Sequence, residues 1–387
     1  MKPINTYIEN MPRSGIRRIM DTATGEDVIH LEVGQPNFAS PDPVIEAACR
    51  AASDKNGLYT RYTPNMGYAS LRAALVKKLE QENGIRASED TIMITPGSNY
   101  AIMIVLSVLL AEGDEVLVPD PGYVNYTSLP PQFGGKVIYY PLHDTDDFAP
   151  RIESIVDRIT PATKLIVHNS PSNPTGGVAS ETFNRELVDI ACEHDLYILS
   201  DEAYEHIVFE GHHVSPARFD SDGRVVSIFS FSQSYAMTGW RVAYTVANAS
   251  IARALEKQQE LCISCAPSIS QKAAEAALDS DKIRPYVQEM VRQYQHRRDL
   301  AVDILRKNSL LSYTPHGAFY VLVNITATGL DSDTFADRLL EEQHVAVAPG
   351  ATFGKIAGQY IRVSMAADGA SVIEGLERLC SFIKANY

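Results

Sequence analysis

The chain has 387 residues, 45% apolar and 21% charged, with a formal net charge of −14. That length suffices for two domains with substantial cores. The acidic balance argues against nucleic acid or an anionic membrane as a partner, since both require basic surface.

Strand-like runs alternate with helical patterns along the chain, with no repeats and no low-complexity linker, which predicts a βα layer architecture. Met1 to Arg18 has no apolar core ahead of a cleavage site, so no signal peptide is expected. Residues 1–27 read as an arm and a short helix, and Val28 to Val33 as a strand closed by Gly34-Gln35-Pro36. Helices are predicted at Pro43 to Ser53 and at Met66 to Asn83, where Leu71, Leu75 and Leu79 share a face. Then come strands at Thr91 to Thr95, Glu115 to Pro119, Lys136 to Tyr140, Lys164 to His168, Leu196 to Ser200, Val225 to Phe229 and Val242 to Ala247. Helices fall at Ser98 to Ala111 and Ser180 to Glu193. The apolar run Ile102 to Ala111 is too short for a bilayer and reads as a buried helix face.

Ser250 to Asp279 and Lys282 to Lys307 are long helical patterns, the second bridging to a last domain. That domain is predicted to hold strands near Ala318 to Val323 and Ile361 to Met365, and helices at Thr334 to Glu342 and Ser371 to Ala385. Cys262-Ile263-Ser264-Cys265 has redox spacing, but no second pair completes a zinc site, and no metal is expected. Five cysteines, an odd number without a secretory signal, predict a reduced cytoplasmic protein.

Polar residues at the carboxyl ends of strands converge on one crevice in an open α/β sheet. Ser230 and Ser232 follow a buried strand, and Arg241 lies just past Gly239, where the chain can turn close to a bound group. Hydroxyls plus a guanidinium suit a phosphate dianion. Ser98 and Asn99 open a helix directly after a strand, a second place suited to phosphate; an ordinary N-cap serine is the plainer reading. Tyr123 follows Pro121-Gly122 and could be a plain rim aromatic. Asn173 stands in the turn-rich Pro171 to Gly176. Asp201 sits at the mouth of a buried strand, where a carboxylate is costly unless paired, or else caps a helix. Arg362 interrupts an apolar strand pattern, and its fork fits a carboxylate.

Ser230-Phe-Ser-Gln-Ser-Tyr-Ala-Met-Thr-Gly-Trp-Arg241 resembles the Ser-x-Ser-Lys-x-x-x-x-x-Gly-x-Arg signature of fold type I pyridoxal-phosphate (PLP) enzymes, the class I/II aminotransferase family. Asn173-Pro-Thr-Gly176 resembles a second mark of that family. The resemblance implies a large domain with a mostly parallel seven-stranded sheet and a small α/β domain from both termini. The division expected is an N-terminal arm and part of the small domain over 1–45, a large PLP-binding domain over 46–285, and the rest of the small domain over 286–387. It implies pyridoxal 5'-phosphate as cofactor, an amino acid and a 2-oxo acid as substrates, and a homodimer with shared active sites.

By resemblance, Ser98, Asn99, Ser230, Ser232 and Arg241 hold the phosphate, helped by Tyr62 from the partner subunit. Tyr123 stacks on the ring, Asn173 and Tyr204 reach its phenolic oxygen, and Asp201 pairs with its nitrogen. Arg362 binds the α-carboxylate, with Gly34 closing from the small domain. Ser14 to Arg17 is expected near the substrate side chain. Leu261 to Lys272 holds no arginine for a distal carboxylate, which weighs against strict aspartate specificity, although Arg17 or Arg18 could do that job.

One position departs from the family: Gln233 stands where the lysine that bonds the cofactor belongs. A glutamine amide is neither a nucleophile nor a useful base. Either a lysine has been replaced here, leaving an impaired aminotransferase, or glutamine is native and the protein binds without turnover or uses other chemistry. The intact Ser230, Ser232, Tyr235, Gly239 and Arg241 favour replacement. Alternatives on the same scaffold are elimination or replacement at Cβ or Cγ, including S-adenosylmethionine-type substrates, and a silent PLP-binding protein.

Overall fold

The central strands assemble into one seven-stranded sheet. The computed structural model describes residues 2–11 and 13–387; positions 1 and 12 of the predicted arm lie outside them. Side by side the strands are Ile92–Thr95, Ala243–Val246, Val225–Ser230, Tyr197–Asp201, Thr163–Asn169, Glu115–Asp120 and Lys136–Pro141. All are parallel to their neighbours except Ala243–Val246, which is antiparallel to both of its own.

The inner strands are apolar runs because both faces are covered. Val116, Val118, Leu165 and Val167 pack with Ile102, Val105 and Leu106 of the helix Ser98–Leu109. The alternate residues Leu117, Ile166 and Ile198 point the other way, onto Phe183, Leu187 and Ala191 of the helix Glu181–Glu193. Parallel pairing sets Asp120, Asn169, Asp201 and Ser230 along one edge. Ala243 pairs with both Thr95 and Ser230, so the antiparallel strand starts at that edge and brings Arg241 to it.

The smaller part joins both ends of the chain. Ile29–His30 pairs in parallel with Val345–Ala346, and Tyr360–Ser364 lies antiparallel between Ala348–Pro349 and Tyr320–Asn324. The helices Ser332–Gln343 and Gly369–Asn386 cover it through Phe335, Leu339, Leu376 and Phe382. The helix Ser280–Lys307 spans the two parts.

Three elements differ from expectation. The strand predicted at Val28 to Val33 shortens to Ile29–His30, the two residues whose ladder partners are Val345 and Ala346. The single helical pattern Ser250 to Asp279 is two helices, Ala249–Cys262 and Ser268–Ala277. Ser264 at φ 65° breaks the first, and Pro267 cannot continue a helix and disfavours one at Ala266. The helix predicted at Met66 to Asn83 runs from Ala69 to Lys78 and widens to a π-type turn over Leu79–Asn83. Among the described residues no helix is long and apolar enough to cross a membrane.

Candidate active site

A cleft of about 670 Å³ opens at the carboxyl edge of the large sheet. Every predicted site residue lines it except Tyr62, which is 88% exposed on the surface.

At one end, the strand Val225–Ser230 gives way to a single helical turn, Phe231–Ser234, and the Ser230 hydroxyl accepts the Ser232 N–H at 3.2 Å. Arg241 itself adopts the left-handed conformation, φ 50°, and donates to the Thr238 carbonyl at 2.8 Å. Gly239 lies in a 3₁₀ turn, Thr238–Trp240, where a Cβ would meet no protein atom within 4 Å. The glycine that close packing requires is Gly97, at φ 92°, where a Cβ would sit 2.3 Å from the Arg241 guanidinium. Gly97 also takes the N-cap position, so Ser98 is the first helical residue and does not cap. Ser98 and Asn99 line the cleft together with Arg241, and the unpaired N–H groups and dipole of a helix's first turn favour an anion there.

At the centre lies Asp201. It caps no helix. Its Oδ2 accepts from the Tyr126 hydroxyl at 2.6 Å and its Oδ1 from the Ala203 N–H at 3.2 Å. Burial pushes its carboxyl up to about 6, against those two hydrogen bonds. Tyr126 escaped the sequence reading. It stands on the short helix Asn125–Ser128, three residues after Tyr123, and meets that ring edge-on. Tyr123 donates to Asn99 Oδ1 at 3.1 Å.

At the other end, the buried Arg362 lies 4.3 Å from the Tyr320 ring centroid and 4.8 Å from that of Phe353. Its Nη1 donates to Asn173 Oδ1 at 3.0 Å and its Nη2 to the Glu32 carbonyl, while Nε is buried without a partner. Arginine only donates, so Asn173 must turn its oxygen toward it, which leaves the Asn173 NH₂ as a free donor. Tyr320, also missed in the sequence, pairs its hydroxyl with that of Tyr204 at 2.9 Å. It presses so close on Gly34 that a Cβ there would lie 2.0 Å from the Tyr320 oxygen.

Gln233 bridges the two parts, its amide donating to the Gly34 carbonyl at 3.2 Å while its Oε1 is buried without a partner. Among the described residues no lysine lines the cleft. Lys78 is buried, but it faces a separate cavity of about 970 Å³ on the far side of the Asp201–His206 segment. There it donates to Asn83 and to Glu205. Burial pushes the Glu205 carboxyl up, but Lys78 and His206 outweigh it and hold it at about 2. Lys78 is therefore committed to an ion pair.

The model of the family described as "Aminotransferase class I and II" matches residues 26–383. The chain belongs to this family.

This aminotransferase is 36% identical over 385 residues to the aromatic-amino-acid aminotransferase 2 of Thermococcus litoralis, with 98% of each chain covered. It is 37% identical over 370 residues to an aspartate aminotransferase of Pyrococcus abyssi, covering 95% of this chain and 94% of that one. Among solved structures, the aspartate aminotransferase of Thermus thermophilus with maleate has a TM-score of 0.94 at 33% identity, covering 98% of this chain and 100% of that one. Class I and II aminotransferases are PLP-dependent transferases with fold type I, and the cleft of this one fits that cofactor. Unspent donors at Ser98, Ser232 and Arg241 suit a phosphate, and a buried carboxylate held by neutral groups lacks only a cation.

Proposed function

We propose that this chain moves an amino group between an amino acid and a 2-oxo acid, with turnover curtailed because Gln233 replaces the family's lysine. The observation that carries this is one cleft in which Asp201, Arg241 and Arg362 stand around Gln233 with no lysine among the lining residues. When bound, PLP would supply an aldehyde carbon to take up the amino group and an electron-accepting pyridine ring. Ser98, Asn99, Ser230, Ser232 and Arg241 hold its phosphate. Asp201, oriented by Tyr126, keeps the ring nitrogen protonated. Asn173 and Tyr204 direct donors at the phenolic oxygen, and Tyr123 covers one face. Arg362 orients the α-carboxylate through its free N–H groups, beneath Gly34. Gln233 can hydrogen-bond in the lysine's place but moves no proton at the substrate's Cα.

The expected result is that the chain binds PLP reversibly, and that borohydride treatment followed by mass spectrometry finds no cofactor-modified lysine. A lysine adduct would overturn this reading.

The same reading includes a cytoplasmic homodimer and the domain boundaries near residues 45 and 285. Both boundaries fall within helices, Asp42–Ala52 and Ser280–Lys307. Dimerisation is supported by exposed apolar side chains: Leu58 is 57% exposed, Tyr62 88% and Leu261 84%. A hydrogen bond of 3.2 Å from Asn65 to Glu260 ties the Tyr62 loop to the end of the helix that carries Leu261. Such a patch marks an interface, here with a second copy that receives Tyr62. Leu261→Glu is expected to shift the protein from dimer to monomer in sedimentation and to weaken PLP binding at least about tenfold, the same order as losing one hydrogen bond to a charged group. A variant that stayed dimeric would place the interface elsewhere.

A further inference from the structure

The turn that follows the strand Tyr197–Asp201 faces two ways. Asp201, Ala203 and Tyr204 line the cleft, whereas Glu205 and His206 line the separate cavity behind it. The Tyr204 hydroxyl is held at its tip by Tyr320. What holds the turn itself lies on the other side.

There Lys78, Asn83 and Glu205 are all buried. One carboxylate oxygen, Glu205 Oε2, accepts from Lys78 Nζ and from Asn83 Nδ2, the latter at 2.8 Å. Lys78 also donates to Asn83 Oδ1 at 2.8 Å, which closes a ring of hydrogen bonds. Beside it, His206 reaches Glu82 at 3.2 Å. Lys78 and Asn83 are five residues apart, which in a regular α-helix would set them about 140° apart around the axis. The π-type turn Leu79–Asn83 begins directly after Lys78 and narrows that angle, so both donors reach one carboxylate. The helix thus leaves its regular geometry at the place that grips Glu205. The Lys78 ammonium also sits 4.7 Å from the ring centroid of Phe229, the residue before Ser230. One buried cation therefore touches both segments that carry cleft residues. A buried ion pair seldom stabilises a fold more than apolar side chains of the same volume, so stability alone does not account for this one.

We propose that Lys78, Asn83 and Glu205 are positioning residues: from behind the cleft they fix the turn that aims the Tyr204 hydroxyl at the cofactor's phenolic oxygen. The inference rests on the role given to Tyr204 above. Glu205 directly follows Tyr204, so releasing its carboxylate lets the turn tilt, and a hydrogen bond weakens steeply with misalignment.

Lys78→Met alone would leave the Glu205 carboxylate buried and unpaired, which is strongly destabilising. The test therefore uses the pair Lys78→Met and Glu205→Gln, which leaves no buried charge there and keeps an oxygen that accepts from Asn83. PLP is titrated spectroscopically into the full chain in four forms: the parent, Tyr204→Phe, the pair variant and all three changes together. Tyr204→Phe should weaken PLP binding about tenfold or more, the worth of one hydrogen bond to a charged group. The pair variant should weaken it at least about fivefold, and in the Tyr204→Phe background the same pair should cost less than about twofold, because the hydroxyl it aims is gone. A pair variant that bound PLP like the parent would overturn the proposal. So would losses that multiplied in the combined variant, since they would mark general support of the fold rather than an effect through Tyr204. If Tyr204→Phe alone bound PLP like the parent, the role of Tyr204 would fall first and the positioning role with it. Should the pair variant not fold, Asn83→Ala, which removes one of the two donors to Glu205, reads the same coupling.

Discussion

Replacing Gln233 with lysine is expected to raise the rate of amino transfer by about 10³-fold or more and to tie the cofactor covalently to the chain. The present side chain cannot do either job. Its amide donates to the Gly34 carbonyl, and its oxygen is buried with no donor facing it. A lysine amine in this place is a nucleophile, and once released it is a base beside the reacting carbon. Positioned acid–base groups are worth about 10²- to 10⁴-fold on their own. In the protein without cofactor the same change adds a cation to a cleft that already holds Arg241 and Arg362, so the unloaded variant should melt lower, and the phosphate should offset this on binding. Borohydride reduction should fix the cofactor to the new side chain, and a keto-acid assay should register the gain in turnover. Gln233→Ala serves as control and should stay within a few-fold of the parent. A lysine variant that gained neither bond nor rate would mean that the cleft is not organised around this position.

Much of this site was legible because it depends on chain-local features. A buried parallel strand is a continuous apolar run, and the residues that follow it lie near the sheet's edge, which put Ser98, Asn173, Asp201 and Ser230 there, while the roles expected of them came from the resemblance to the aminotransferase family. The features that could not be read depend on contacts between distant segments. Tyr126 meets Asp201 across 75 residues, and Tyr320 meets Tyr204 across 116. Arg17 and Arg18 are adjacent and chemically alike, but Arg18 pairs with Asp333 and Asp337, more than 300 residues away, while Arg17 lines the cleft. The left-handed conformation at Arg241 was hidden for a related reason: its guanidinium packs against Gly97, more than a hundred residues earlier. The strands Val345–Ala346 and Ala348–Pro349 are two residues each, too short to show a period of their own.

Asp201→Asn should separate stability from binding, raising one while abolishing most of the other. In the protein without cofactor, burial holds the Asp201 carboxyl at about 6 against an ordinary 3.8, with Tyr126 and Ala203 only partly compensating. The folded chain therefore holds this proton more tightly than the unfolded chain does. The stability linked to it is complete below about 4 and is lost as the pH rises through about 6. At neutral pH the ionised carboxylate then costs the empty protein on the order of 2–3 kcal/mol, which a neutral amide of the same shape avoids. The Asn variant should accordingly melt a few degrees higher than the parent at pH 7, and the difference should vanish toward pH 4. With cofactor the sign reverses. The carboxylate gains the cation it lacks, and breaking a buried ion pair by removing one partner costs about 3–5 kcal/mol. PLP affinity should fall by about 10²- to 10³-fold in the variant. In the parent it should weaken below pH 6, as Asp201 takes up its proton and can no longer pair with a protonated ring. Calorimetric melting and spectroscopic titration across pH 4–8 read both quantities from one preparation. If the variant bound PLP as tightly as the parent, Asp201 would not face the ring nitrogen. If it melted lower at neutral pH, the burial penalty assigned to its carboxylate would be wrong, and Tyr126 would have to be regarded as fully satisfying that charge.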